Sequence, residues 1–427
     1  MPPAAIDTTS QLTSAGVSSA LSKTAHSLTN GANGVSGVQL AELDASRITS
    51  TYTASPRPVP VPGSPEIAAQ NICTDHMITA KWTVKEGWHA PALQPYGPLS
   101  LMPTASCLHY ATECFEGLKL YRGYDGKLRL FRANLNAARM LNSATRIALP
   151  AFAPTELLKL IMKLCATDGP KWLPKDEPGS FLYLRPTMIA SDPALGVQRP
   201  NEALLYVILT CFPRLDAPTI GADGSPQGMK LLASGDDTIR AWPGGFGHAK
   251  VGANYGPSLV AQGEARKAGY NQILWLFGDN CEVTEAGASN FFVVWRTRSG
   301  ATELVTAPLD RKIILDGVTR RSVLQLVRER LSESTENVQG LDIVERNIQM
   351  DEIVQAAGDG RLLEAFAAGT AFFISPVQEI HFRGTDIRVP MTAGEAGPYT
   401  KQIKTWLSDI MYGKEHHEWG IVVEEQS

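Results

Sequence analysis

The sequence predicts a two-domain fold of mixed helices and strands, α+β or mixed α/β, with a cleft between the domains. Three observations lead there. The chain has 427 residues, enough for two or three domains at roughly 100–200 residues each. Both halves mix helix-period with strand-period runs. A break at residues 211–228, carrying Pro213, Pro218 and Pro226, separates the halves as an interdomain connection.

The elements follow in order. Residues 1–65 read as a disordered tail, rich in Ser, Thr and Ala and ending in Pro56, Pro58, Pro60, Pro62 and Pro65, because they lack the large apolar side chains that offset ordering entropy. A smaller domain is expected over 66–210. In it, residues 155–165 carry a helical apolar stripe with Thr155 as its cap. Phe181-Leu-Tyr-Leu-Arg185 alternates like a strand, and Leu204 to Leu209 form a short buried-strand run. After the connection, a larger domain is expected over 229–427. It opens with Met229-Lys-Leu-Leu232, continues through strand-like runs at 272–277 and 290–295, and carries helices at about 256–268, 320–332 and 399–412. No internal repeat is present.

Composition bounds the function. Hydrophobic residues make up 44% and charged residues 19%, with a net charge of −4, so nothing suggests nucleic acid or an anionic membrane as partner. No apolar run reaches the roughly 18 residues of a membrane span. The six cysteines form no C-x-x-C pair or zinc-ligand cluster and read as reduced, small buried hydrophobes. The N-terminal stretch holds Asp7 and has no arginine before Arg47. It lacks the Arg-rich, acid-poor character of a mitochondrial leader. A cytoplasmic location follows, with a mitochondrial one as the alternative.

Several segments could carry chemistry. Lys250 stands among five glycines, at 244, 245, 247, 252 and 256. A lysine confined with few charges can act as an amine nucleophile, and glycines let backbone approach a flat ligand closely. Alone, the same pattern also describes a solvated lysine in a loop. Glu285 lies among small residues before an apolar strand, where a buried carboxylate needs a partner. It could equally be a turn acid. Leu315-Asp-Gly-Val-Thr-Arg320 runs into a helix, whose first amides and the Thr319 hydroxyl could hold a phosphate. Thr370 has a similar small-residue setting, and Arg139 could add a planar fork. A helix cap and a surface ion pair are the plain alternatives. Tyr183 and Arg185 share a strand face, and Tyr110 and Phe115 add aromatic surface. There is no G-x-S-x-G elbow, Walker loop or dinucleotide fingerprint.

Together these segments form a pattern. The runs LHYATECFEG, LRLFRANLNAARML, GSFLYLRP, RAWPGGFGHAKVGANYGPS, VTEAGASNFF, LDGVTRRS and AFAAGTAF occur in this order. The chain resembles the branched-chain aminotransferases, pyridoxal-phosphate enzymes of fold type IV, from about residue 75 to 420, in wording most like fungal members. The resemblance implies a two-domain, D-amino-acid-aminotransferase-like fold with the active site in the interdomain cleft. It implies a homodimer whose active-site parts cross between subunits. It implies pyridoxal 5'-phosphate as cofactor, and L-leucine, L-isoleucine, L-valine, glutamate and their 2-oxo acids as substrates of a ping-pong exchange. Lys250 would carry the cofactor as a Schiff base and shuttle the proton. Glu285 would hold the pyridinium, Tyr255 the phenolic oxygen, and Arg139, Val318, Thr319 and Thr370 the phosphate. Tyr110, Phe115, Tyr183, Arg185, Thr370 and Ala371 would line the substrate site.

Three departures stand out. Ala288 replaces a threonine of animal members. Cys211-Phe-Pro-Arg-Leu-Asp216 lacks their tyrosine over the substrate. Thr370 to Ser375 lacks the C-x-x-C pair of some of them. The first two leave open a specialised paralogue of secondary metabolism, or an amine or D-amino-acid transaminase, as the alternative function.

Overall fold

A computed structural model describes residues 40–61, 63–214, 219–220, 224–334, 338–371 and 373–425. The first domain centres on a sheet of ten strands. Its middle is the antiparallel pair Glu202–Cys211 and Phe181–Ala190, followed outward by Leu118–Arg122 and Leu128–Phe131. These strands alternate between two buried faces. Leu118, Leu120, Leu128, Leu130, Leu182 and Leu184 pack under the helices Ala133–Arg146 and Pro154–Trp172. Tyr121, Phe131 and Phe181 face the other way, into a core shared with helices Val318–Arg330 and Pro398–Met411 of the second domain. The sheet is therefore the inner layer between two sets of helices, and its strand Phe181–Ala190 lends Tyr183 and Arg185 to a cleft.

The second domain contains a closed ring. Pairing runs from Ser289–Arg296 through Leu362–Gly369, Phe373–Phe382, Met229–Ala233, Gln272–Phe277 and Glu282–Ala286, and then back to Ser289–Arg296. Closure removes the unpaired edges an open sheet would expose. Phe291, Val293 and Trp295 pack with Leu231, Leu274, Ala365 and Ile380 on one side. Phe292 and Val294 turn to the helices on the other. Buried Glu364 ties a ring strand to the helix Pro398–Met411, accepting bonds from the Tyr399 and Thr400 amides at 2.8 Å, a carboxylate at a helix N-terminus.

Three expectations need correction. The tail does not extend to residue 65: Leu43 and Ala45 are buried in the first core, and Thr49–Ser50 pairs with Ala92–Pro95. This segment is anchored by two short apolar side chains rather than a large hydrophobic stretch, so composition under-read it. Residues 1–39 lie outside the described residues. The second half does not belong wholly to the second domain. Gly420–Val423 returns to pair with Leu128–Phe131, and Ala249 and Val251 pack in the first core. Thr155 is not the helix cap. Ala153 occupies that position and Pro154 begins the helix, where a missing N–H costs nothing. Of the connection at 211–228, residues 215–218 and 221–223 lie outside the described residues.

Candidate functional site

Lys250 is held from both sides by the first domain. Its amide donates to Ser143 Oγ at 2.8 Å, and its carbonyl accepts from the Phe115 amide at 3.0 Å. Val251 bridges Cys114. These bonds fix the backbone and leave the side chain to enter the cleft. There Nζ lies 2.9 Å from Tyr255 Oη and 4.9 Å from the centre of the Phe115 ring. Gly252 permits this packing, because a Cβ there would meet Glu113 Oε1 at 2.2 Å.

Across the cleft, Glu285 ends the strand Glu282–Ala286 and is 2% exposed. A Gly287–Ala288 turn, with Gly287 at φ +57°, folds Asn290 back opposite it. Asn290 Nδ2 donates to Glu285 Oε1 at 3.2 Å, the Leu315 amide donates to the same oxygen at 3.1 Å, and Arg240 holds Oε2. Burial pushes the Glu285 carboxyl above its ordinary value, while Arg240, the Leu315 amide and Lys250 pull it back. Four groups that favour the anion thus surround a carboxylate that burial disfavours.

The anion-holding groups converge on the same cleft, a cavity of about 610 Å³. Gly317 caps the helix Val318–Arg330, whose first amides have no partner within the helix. Gly317 must lack a Cβ, which would lie 2.1 Å from Asn290 Oδ1. Val318, Thr319, Thr370 and Ala371 line the cleft. Arg139 also lines it, but its fork is largely engaged. Nε and Nη2 each reach Glu116 at 2.7 Å, and Nη1 reaches the Asp316 carbonyl at 3.1 Å. Burial works against its charge, and Glu116 more than offsets this, raising it above the ordinary guanidinium value. Of five guanidinium N–H donors, two remain for the cleft.

The aromatic wall is ordered by stacking. Phe115 and Tyr255 rings are 4.9 Å apart, and the Arg185 guanidinium lies over Phe115 at 4.7 Å. Arg185 Nε is buried without a partner among the described residues, a donor left for something in the cleft. Tyr183 stacks on Phe212 at 4.5 Å and 18°, and its hydroxyl occupies the space beside Gly117, where a Cβ would come within 2.0 Å.

The donor set fits pyridoxal phosphate. One amine, one buried carboxylate, one phenol and a helix N-terminus with a hydroxyl face a single cavity, matching an aldehyde, a pyridine nitrogen, a phenolic oxygen and a phosphate. Among the described residues lining the cleft, Lys250 is the one lysine.

All but one of the expected site residues gather here. Tyr110 does not. It lies on the short helix Cys107–Tyr110, is 41% exposed and bonds the Leu195 carbonyl. It does not line the cleft of its own chain. Met102, Leu108, Leu195 and Val197 are exposed as well. Sequence reasoning missed Arg240, Asn290, Glu116 and Ser143. Glu116 and Arg240 stood inside quoted runs as charges beside small or apolar residues, a detectable signal, whereas Asn290 and Ser143 carried none.

Comparison with known proteins agrees with this geometry. Residues 113–380 match the family described as amino-transferase class IV. The chain is 45% identical over 383 residues to the mitochondrial branched-chain-amino-acid aminotransferase of Schizosaccharomyces pombe, covering 89% of this chain and 85% of that protein. It is 44% identical to the cytosolic branched-chain-amino-acid aminotransferase of Saccharomyces cerevisiae, covering 90% and 98% respectively. The solved structure of the Escherichia coli branched-chain amino acid aminotransferase matches with a TM-score of 0.59 at 25% identity, over 81% of this chain and 98% of that one.

Proposed function

This chain belongs to the class IV aminotransferases, and we propose that it exchanges amino groups between L-leucine, L-isoleucine or L-valine and 2-oxoglutarate, using pyridoxal 5'-phosphate. The observation that carries this reading is the placement of Lys250 Nζ beside Tyr255 Oη, in a cleft that also holds buried Glu285 and a helix N-terminus.

When bound, the cofactor supplies an electron sink that lets the substrate α-carbon release its proton. The chain supplies the rest. Glu285, bonded by Arg240 and Asn290, would pair with the ring nitrogen. Gly317 to Thr319, Thr370 and the free N–H groups of Arg139 would hold the phosphate. Tyr255 orients the phenolic oxygen and stands as the hydrogen-bond partner of Lys250. Lys250 would take the proton released by the substrate α-carbon on Nζ, acting as base, and give it up again as acid. Phe115, Tyr183 and Tyr255 exclude water and accept an aliphatic side chain. Arg185 donates to the distal carboxylate when glutamate is the substrate. Backbone groups at Thr370 and Ala371 bind the α-carboxylate.

Tyr110 and its exposed apolar neighbours support a homodimer in which this surface closes the cleft of the other copy. That arrangement also explains why Tyr110 stands outside its own cleft. We place the compartment as cytoplasm or mitochondrion, as named for the yeast relatives. Among the described residues, no helix is long and apolar enough to cross a membrane. We propose that the first domain spans about 40–210 and the second begins near 229, with 420–423 returning to the first.

Glutamate formation from each branched-chain amino acid with 2-oxoglutarate tests the reading. Turnover of D-alanine or a simple amine in preference to L-leucine would move the assignment to another branch of the class.

A further inference from the structure

A second cavity, of about 510 Å³, lies behind the wall of the cleft. Arg139 and Val318 line both spaces. The second cavity is built from the outer side of the helix Ala133–Arg146, from residues 309–316 and from the start of the helix Val318–Arg330. Its charges are unbalanced. The facing groups are Arg139, Arg146, His248, Lys312 and Arg321, against one carboxylate, Asp316.

Two of these cations are already satisfied. Arg139 is engaged by Glu116, and Arg321 Nε reaches Asp316 at 2.6 Å. The others are not. Among the described residues, neither Arg146 nor Lys312 has a carboxylate partner, and Arg146 reaches only the Gly245 carbonyl, at 3.4 Å. His248 lines the same cavity. Its Nδ1 is buried with no partner among the described residues, while the ring also bonds the Lys312 backbone. Lys312 holds a left-handed backbone at φ +56°, a conformation L side chains rarely adopt without surrounding constraint.

We propose that this cavity is a second anion site, distinct from the cofactor's phosphate subsite, in which Arg146, Lys312 and His248 bind a sulfate- or phosphate-like dianion. The ligand is either the free ion or the head group of a larger molecule whose apolar body rests on Leu141, Leu309 and Ile314. The charge of the site depends on His248. Burial first, then the charges of Lys312 and Arg146, hold its imidazole below the ordinary value. A dianion cancels the repulsion from both cations and lets Nδ1 take a proton and donate it. Binding is therefore coupled to proton uptake and tightens as pH falls.

Sulfate is the suitable probe, since it stays dianionic near neutral pH. Calorimetric titration of the cofactor-loaded enzyme with sodium sulfate, at constant ionic strength, should give one site per chain. Affinity should fall about tenfold or more in Arg146→Ala and in Lys312→Ala, neither of which lines the cofactor cleft. Binding should be several-fold tighter at pH 6 than at pH 8, and His248→Asn should abolish that difference. Hexyl phosphate binding tighter than inorganic phosphate at pH 8, where both are dianions, would identify a ligand with an apolar body, and equal binding the free ion. No heat, or heat unchanged by both alanine variants, overturns the proposal, the latter as an adventitious ion only. Because the two variants report outside the cleft, their result stands apart from whether the chain is a branched-chain transaminase.

Discussion

The Arg240 guanidinium closes on the Glu285 carboxylate inside the wall of the cleft, with both side chains at least nine-tenths buried. Removing one partner of such a pair strands the other, at roughly 3–5 kcal/mol. Arg240→Met should therefore let Glu285 protonate. The variant should bind pyridoxal phosphate at least tenfold more weakly and turn over more slowly. Arg240→Lys should recover part of both. Equilibrium dialysis of the cofactor and steady-state rates check this, and unchanged cofactor affinity would remove Arg240 from the account.

Lys250→Ala should lower transamination by roughly a thousandfold or more while leaving the thermal midpoint of the cofactor-free protein within a few degrees. The backbone bonds to Ser143 and Phe115 do not use the side chain. Steady-state assays and calorimetry together separate loss of chemistry from loss of fold.

Gly117→Ala places a methyl group where the Tyr183 hydroxyl stands. Tyr183 cannot retreat easily because Phe212 stacks behind it. Overpacking of this kind costs about 1–3 kcal/mol. The expected outcome is a KM for leucine raised about tenfold, with a smaller change in kcat and cofactor binding retained.

If Tyr110 serves the partner's cleft, activity should be recoverable from two damaged chains. Lys250→Ala and Tyr110→Ala protomers should each be impaired. After unfolding and refolding together in equal amounts, about a quarter of the sites should be intact, by the statistics of a two-fold dimer. No recovery would place Tyr110 in the service of its own chain.

Asp75 gives a pH test of the N-terminal segment. Burial opposes its charge, but bonds from Lys171, the Arg57 amide and Trp172 outweigh it and hold the carboxyl below its ordinary 3.8. A depressed carboxyl contributes stability that is fully present above 3.8 and lost as pH falls through the lower folded value. Hydrogen exchange near Arg57, corrected for intrinsic rate, should stay slow at pH 5 and quicken below pH 3.8. Asp75→Asn should exchange faster throughout.

How far the sequence carries depends on the range of the interaction. Gln272–Phe277 was legible to the residue because a continuous apolar run meets turn residues at both ends. Leu118–Arg122 and Leu128–Phe131 escaped, being short strands buried on both faces with charges kept at Lys119 and Arg129. The pairing of Gly420–Val423 with a strand nearly three hundred residues earlier leaves no local trace. The site divides the same way. Lys250 and Glu285 stand out as functional groups among small residues, whereas Tyr255 comes only with the family resemblance. The Arg240–Glu285 pair depends on a fold that brings a loop residue against a later strand, and the exposed position of Tyr110 leaves no local trace.

The most direct test of the central claim is an absorbance spectrum of the protein loaded with pyridoxal phosphate, recorded before and after L-leucine and again after 2-oxoglutarate. The account predicts a near-ultraviolet or visible cofactor band that shifts with leucine, returns with 2-oxoglutarate, and is missing its leucine response in Lys250→Ala. A protein that shows no bound-cofactor band after loading, or whose band ignores leucine, isoleucine and valine alike, would contradict it.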